Sequence, residues 1–552
     1  MNKITVNFIG RESVELEKGK YTAYEVIKSL PNLPEHIMAI KVNKELHSLH
    51  YKFKRNCNCS FVTYFEPEGK RIYSRSLIFV FLMAVHNLDK NIVVNIGNKV
   101  GQHFNIKFTN AQISECLIEN IKIKMKEIID AGYLITKEKV SFADIKEIYE
   151  VMESKEQLNN FSIKLRQDYA IYNAAGYYNY LYGRLVPDTS CIKGFDVKLY
   201  KSGILLMLPR EDNIYVVDEK IDTNKMFDVF ETNFAKLKKI TGIHYVYEVN
   251  EKVLNNEIGE IIRISEAEME KRLVNLADKV ADKKVIMISG PSSSGKTTFS
   301  QKLQLYLKAS GKNPKVISMD MYFKNAADSP LDKNGKKDFE SINHFDTELF
   351  KEQIGKLLTG DEVCIPTYNF KLNGGQREFF DESKMKLEEE DILIFEGIHA
   401  LNPVVSDFIE KELVYKIYIY PMVTIGYDSY TKFSSSDLRL IRRIIRDYYE
   451  RDVKVETTIK NWNLVKRGEK RNIFPYVELA DEIFNTYQIY EIGVLKGFIE
   501  NLLLMVKNDS DYYSEARRIL SLLENFRVIP TDDIPSISLI CEFIHKGCFS
   551  KN

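Results

Sequence analysis

The chain lacks a surplus of charge, a cysteine framework and any long apolar run, and each absence removes a class of protein. Lysine plus arginine and aspartate plus glutamate both number 78 among 552 residues. No overall field draws such a chain to nucleic acid or anionic lipid, so contact with a polyanion has to be local. The seven cysteines, Cys57, Cys59, Cys116, Cys191, Cys364, Cys541 and Cys548, form no C-x-x-C pair and have no nearby histidine pattern. Reduced thiols are expected rather than disulfides or zinc. The longest apolar run, Leu77 to Val85, is too short to span a bilayer. The start, Met1 to Phe8, has no signal-peptide core. No membrane association and a cytoplasmic location are therefore expected. Internal repeats and low-complexity tracts are also absent.

What the chain does have is a phosphate-binding loop. The stretch Gly290-Pro291-Ser292-Ser293-Ser294-Gly295-Lys296-Thr297-Thr298 follows the apolar run Val285 to Ile288 and opens a segment with Phe299, Leu303 and Leu307 at helical spacing. Glycines let the backbone close around a phosphate with its amides inward, the lysine serves the β- and γ-oxygens, and a hydroxyl serves magnesium. ATP and Mg2+ are the expected cofactors. Gly290, Ser292, Ser293, Ser294, Gly295, Lys296, Thr297 and Thr298 are the candidate nucleotide contacts.

Around this loop the pattern is α/β. Apolar runs at 285–288, 316–319, 392–395, 415–420 and 482–484 are continuous rather than alternating, which predicts a parallel sheet covered by helices on both faces. The first three end in the phosphate loop, Asp320 and Glu396, and ligands in open sheets of this kind sit at the carboxyl ends of strands. Asp320 is the candidate base for an accepting hydroxyl, and Glu396, with Thr297, the candidate magnesium ligand. In the segment Asp437 to Asp447, helical geometry puts Arg439, Arg442, Arg443 and Arg446 on one face and Ile441, Ile444, Ile445 and Tyr448 on the other. That pattern predicts a helix docked by its isoleucines, with its guanidinium groups forming a lid over a triphosphate.

Length predicts three or so domains at roughly 150 residues each. Residues 1–65 read as a small β-grasp-like module, with strands near Ile4 to Phe8, Ile37 to Val42 and Ser60 to Phe65 and a helix near Thr22 to Leu30. Residues 66–264 read as an α+β region of short strands and helices. A charged connector over Ser265 to Asp282 leads into a kinase-like domain over 265–498, and 499–552 reads as a helical extension including Ser514 to Asn525.

The C-terminal motifs resemble the uridine kinase family, within the larger group that includes phosphoribulokinase. The likeness is carried by Gly290 to Thr298, Ser318-Met319-Asp320-Met321-Tyr322, His344-Phe345-Asp346, Ile365 to Phe370, Phe395-Glu396-Gly397-Ile398 and Arg439 to Arg451. The resemblance implies transfer of the ATP γ-phosphoryl group to a nucleoside 5′-hydroxyl, with Asp320, Lys296, Arg446 and Arg451 catalytic. It implies that Asp346, Arg443 and Asn461 hold the ribose and that Phe345, Tyr368 and Phe370 flank the base. Asn373 stands where the family usually has a histidine reading the pyrimidine edge, which leaves purine nucleosides open. A sugar phosphate or other small alcohol is an alternative acceptor, and a nucleotide-binding, RNA-associated regulatory protein is an alternative class. A GTPase is disfavoured because Asn43-Lys44, Asn98-Lys99 and Asn224-Lys225 are not followed by aspartate two residues on.

The first half resembles the N-terminal portion of threonyl-tRNA synthetase, a TGS domain followed by an editing-type domain. Ile4 to Phe8, Ala39 to Leu46 and Glu68 to Ser76 carry this likeness. The synthetase's H-x-x-x-H pair has no counterpart between 68 and 90, where only His86 occurs, so editing chemistry is not expected. An RNA or regulatory ligand at the N-terminal domains is expected instead, and a homo-oligomer is left open. The whole arrangement looks like the bacterial nucleoside kinases that fuse these modules to a uridine-kinase domain.

Overall fold

The five apolar runs beyond residue 280 become one sheet in the computed structural model, which describes residues 3–151, 158–159, 161, 168–221, 224–331, 335, 337–369, 372 and 374–549. Strands Asn313–Ser318, Asp391–Glu396, Val285–Ser289, Val414–Tyr420 and Glu482–Asn485 lie side by side in that order. Every neighbouring pair is parallel. Successive side chains leave opposite faces of a strand. Val285, Met287, Leu393 and Phe395 accordingly pack with Phe350 and Ile354 of helix Thr347–Leu358. Ile286, Ile288, Ile392 and Ile394 pack on the other face with Phe299, Leu303 and Leu307 of helix Lys296–Ala309. Full burial of each such leucine contributes about 1.5–3 kcal/mol relative to exposure.

Register then places the chemistry. Ile288 and Ser318 both lie opposite Glu396, so three adjacent strands end at one level. The phosphate loop, the turn bearing Asp320 and the side chain of Glu396 emerge along one sheet edge.

The first residues build a separate mixed sheet in the order Val14–Glu17, Lys3–Phe8, Cys57–Thr63, Ile37–Val42, Glu45–His47. Its helix Ala23–Lys28 starts at a capping box, in which Thr22 N donates to Glu25 Oε2 at 2.8 Å and Glu25 N to Thr22 Oγ1 at 3.3 Å. The apolar run Leu77 to Val85 lies within a 22-residue helix, Pro67–Leu88, where it is buried all round. That helix packs with a four-stranded sheet, Asp196–Tyr200, Gly203–Met207, His103–Phe108 and Val94–Val100, and with helix Glu115–Ala131. A single long helix therefore organises a region whose sequence reads as short elements.

The connector expected over 265–282 is helix Ile258–Val280, and it is no solvent-exposed linker. Ser265 and Glu266 are buried, with Ser538 Oγ donating to Glu266 Oε1 at 2.6 Å. Helix Tyr513–Leu523 is tied back by Arg518, whose Nη1 and Nη2 donate to Asp437 at 3.0 and 2.6 Å. Among the described residues no helix is long and apolar enough to cross a membrane.

Candidate active site

The phosphate loop is shaped by backbone that few residues tolerate. A Cβ on Gly290 would lie 2.6 Å from the Ile419 carbonyl oxygen and 2.7 Å from Ser294 Oγ. Gly295, at φ +92°, precedes the first turn of helix Lys296–Ala309. Lys296 folds back, its Nζ donating to the carbonyls of Gly290 at 2.9 Å and Pro291 at 3.3 Å. Thr297 is exposed at the mouth, whereas Thr298 is buried.

Lys296, Asp320 and Glu396 share one electrostatic environment. Burial holds the Lys296 ammonium below its usual value, against the pull of Glu396 and Asp320. Burial raises Asp320, while Lys296, Arg451 and Arg446 draw it back down. Glu396 is pushed up to about 7 by burial, with Lys296 opposing and Asp320 adding to the rise. Two carboxyls that burial raises, beside one ammonium, suit a divalent cation and phosphate oxygens.

The arginine helix, Ser435–Arg451, departs from the lid that amphipathic spacing predicts. Arg439 and Arg442 are each 1% exposed. Arg439 forms a bidentate ion pair with Glu469, and its Nε donates to the Ser292 carbonyl at 2.9 Å. Arg442 pairs with Glu491 at 2.5 and 2.8 Å and reaches the Ser293 carbonyl at 3.2 Å. These two guanidinium groups brace the loop from behind and cannot close over a ligand. The helix buries both faces because their acidic partners lie 30 and 49 residues away in the chain. Only the second half reaches the crevice. Arg446 acts on both Lys296 and Asp320, and Arg451 on Asp320.

The residues expected at the acceptor are more dispersed. Arg443 lies against the loop, its Nη1 donating to Ser292 Oγ at 2.8 Å and its Nε to Asp447 at 3.2 Å. Asp346 caps helix Thr347–Leu358 through Leu349 N at 3.2 Å and pairs with Arg377 at 2.8 Å. Phe345 is 1% exposed among Tyr322, Phe350 and His399, so it backs the site and offers no open face to a base. Tyr368 is buried, its hydroxyl donating to the Lys324 carbonyl at 3.2 Å. Asn461 is exposed on helix Val455–Asn472. Phe370 and Asn373 lie outside the described residues.

Four acidic residues that sequence reasoning missed complete the setting. Glu469 and Glu491 neutralise the buried arginines. Glu340 is pushed up to about 7 by burial, with Arg443 opposing and Asp320 adding to the rise. Glu542, from the far end of the chain, accepts from Thr298 Oγ1 at 2.9 Å and lies 3.7 Å from Arg446. None of these stands in a local pattern that could have announced it. A buried histidine, His399, was also missed although it follows Glu396 by only three residues. It is held down to about 4 by burial, so its ring is neutral.

Against known proteins, the model of the Phosphoribulokinase / Uridine kinase family matches residues 285–492. A uridine kinase of Macrococcus caseolyticus is 30% identical over 201 residues, covering 36% of this chain and 86% of its own length. A uridine kinase of Bacillus pumilus is 29% identical over 200 residues, covering 36% of this chain and 84% of its own length. A solved structure described as a possible uridine kinase from Bacillus stearothermophilus covers 40% of this chain and 100% of its own, at 17% identity and a TM-score of 0.27.

Proposed function

This chain belongs to the phosphoribulokinase and uridine kinase family, and on that premise we propose that it phosphorylates a nucleoside at its 5′-hydroxyl with ATP. The observation that carries the reading is the shared environment of Lys296, Asp320 and Glu396 beside the phosphate loop. Phosphoryl transfer needs positioned charge more than covalent help. The loop amides and Lys296 hold the β- and γ-phosphates, and Arg446 and Arg451 add positive charge on the side of Asp320. Asp320, raised by burial, accepts the proton of the attacking hydroxyl as the new ester bond forms and the bond to the departing ADP breaks. Thr297 and Glu396 would hold Mg2+, which supplies further neutralisation of the phosphate oxygens.

Residues 1–65 and 66–264 are proposed to be TGS-like and editing-like modules that serve a regulatory ligand or RNA in the cytoplasm. The acceptor is tested by incubating the purified chain and ATP with each natural nucleoside and with ribulose 5-phosphate, reading product mass. Phosphorylation of a nucleoside is expected. Turnover of the sugar phosphate alone would replace the nucleoside reading with that of an alcohol kinase of another substrate class.

A further inference from the structure

Where the N-terminal half meets the C-terminal helices, a cavity of about 850 Å³ opens among residues 180–184, helix Val246–Leu254 and helix Tyr513–Leu523. It lies apart from the phosphate loop. Arg75, Lys137, Arg184, Lys496, Arg518 and Arg527 line it, against one carboxylate, Glu524. In a chain with equal numbers of acids and bases that is a strong local excess.

Three of these cations have no carboxylate ion pair among the described residues. Arg75 donates to the Arg184 carbonyl at 2.7 Å, Arg184 to the Leu46 carbonyl at 3.3 Å, and Lys137 lies 5.1 Å over the Tyr172 ring. Gly183 makes room for the first. At φ +117°, its missing Cβ would sit 2.6 Å from Arg75 Cζ, so the guanidinium lies flat against bare backbone. The crowding has a cost. Burial and the neighbouring arginines Arg71, Arg518 and Arg184 hold Arg75 down to about 10, and burial with Arg184 and Arg75 holds Lys137 down to about 8. Near neutral pH Arg75 and Lys137 remain charged, and a bound anion would relieve their repulsion. Arg527 adds a buried Nε with no hydrogen-bond partner. Beside the cations stands an aromatic wall, in which Tyr182 lies 4.5 Å from Tyr427 at 31° and Phe526 meets Tyr427 edge-on at 5.8 Å.

We propose that this cavity is a second nucleotide site, taking a nucleoside polyphosphate with its phosphates on Arg75, Lys137 and Arg184 and its base against the ring of Tyr182. Three uncompensated cations suit a di- or triphosphate, and flat rings suit a planar heterocycle. Arg518, which also lines the cavity, holds Asp437 in the first turn of the helix that carries Arg446. One ion pair thus ties the cavity to the helix that carries Arg446.

The test is calorimetric titration of the full chain with ATP and with UTP, using inorganic tripolyphosphate and a short single-stranded RNA as comparators. Two sites are expected in the wild type and one in Lys296→Ala. The double variant Arg75→Ala, Lys137→Ala should keep the loop site and weaken the second about tenfold or more. Lys137→Ala alone, which removes no carboxylate ion pair among the described residues, should weaken it in the same sense without altering the melting temperature. A single site in the wild type would overturn the proposal, as would an unchanged second site in Lys137→Ala and the double variant. Tripolyphosphate binding as tightly as ATP would remove the role of the base. RNA binding far more tightly than ATP would assign the cavity to a nucleic-acid end instead. A failed loop assignment is separable, because it would show as two intact sites in Lys296→Ala.

Discussion

The two halves of helix Ser435–Arg451 share a composition and have opposite fates. In the first, Arg439 and Arg442 are sealed in the interior and matched to Glu469 and Glu491, and what they hold is the protein's own loop through the carbonyls of Ser292 and Ser293. In the second, Arg446 and Arg451 are only loosely paired, with acid contacts of 3.3 Å and longer, and their charge acts on Asp320 and the crevice. An arginine already satisfied by a carboxylate shapes a site. One left under-satisfied is available to a ligand. Lys296 belongs with the second group, since among the described residues its ammonium is bonded to carbonyl oxygens alone.

Removing a cation of the second kind should act on catalysis. Lys296→Ala should abolish transfer, by about 10³-fold or more in kcat, because charge on the migrating phosphate is left uncompensated. Near-normal turnover in a steady-state assay would return Lys296 to a structural role. Asp320→Asn should lower kcat by about 10²–10⁴-fold while leaving ATP affinity intact. A wild-type rate there would mean that another group takes the proton.

Removing the partner of a cation of the first kind should act on folding. Glu491→Gln leaves Arg442 charged and buried with its ion pair broken, a change that typically costs about 3–5 kcal/mol. Urea unfolding should show that loss, and the molecules that remain folded should keep most of their activity per site. If stability is unchanged and turnover falls, the two halves of the helix do not differ in the way their pairing implies.

How much of this was legible in the sequence follows from the same distinction. The loop, Asp320 and Glu396 could be read because each ends an apolar strand, and strand register then carries them to one edge. The buried arginines could not. Helical spacing groups Arg439 with Arg446, but nothing local shows that Glu469 and Glu491 will neutralise two members of the set and leave the others. Phe345 failed for a related reason, since an aromatic residue beside a site motif is equally suited to the core behind it. The long helix Pro67–Leu88 escaped because a segment buried on every side has no amphipathic period to detect.

Acidity sharpens the contrast further. Glu396 and Glu340 are both pushed up to about 7 by burial, from an ordinary value of 4.5. The native state therefore keeps these protons to higher pH than the unfolded chain does. Their contribution to stability is complete below about pH 4.5 and is lost as pH rises through about 7. Unfolding measured across that window should show a decline in stability that Glu396→Gln and Glu340→Gln each make shallower. An identical slope in both variants would mean that neither carboxyl holds its proton in the folded protein.

The smallest effect expected is at Glu542, and it bears on whether the crevice is held ready or held in check. Its carboxylate accepts from the Thr298 hydroxyl at 2.9 Å and lies 3.7 Å from Arg446, so one acidic side chain meets both a loop donor and a crevice cation. These are groups that a nucleotide phosphate would use, because the first turn of a helix after such a loop offers its donors to anions. ATP must then displace a carboxylate or bind beside it against like charge. Glu542→Gln removes the charge and keeps the shape, and should tighten ATP a few-fold, a small effect because the carboxylate stands 3.7 Å from Arg446. Weaker binding of ATP to Glu542→Gln than to the wild type would show that the C-terminal segment supports the nucleotide site, and that Arg446 needs its acidic neighbour to stay in place.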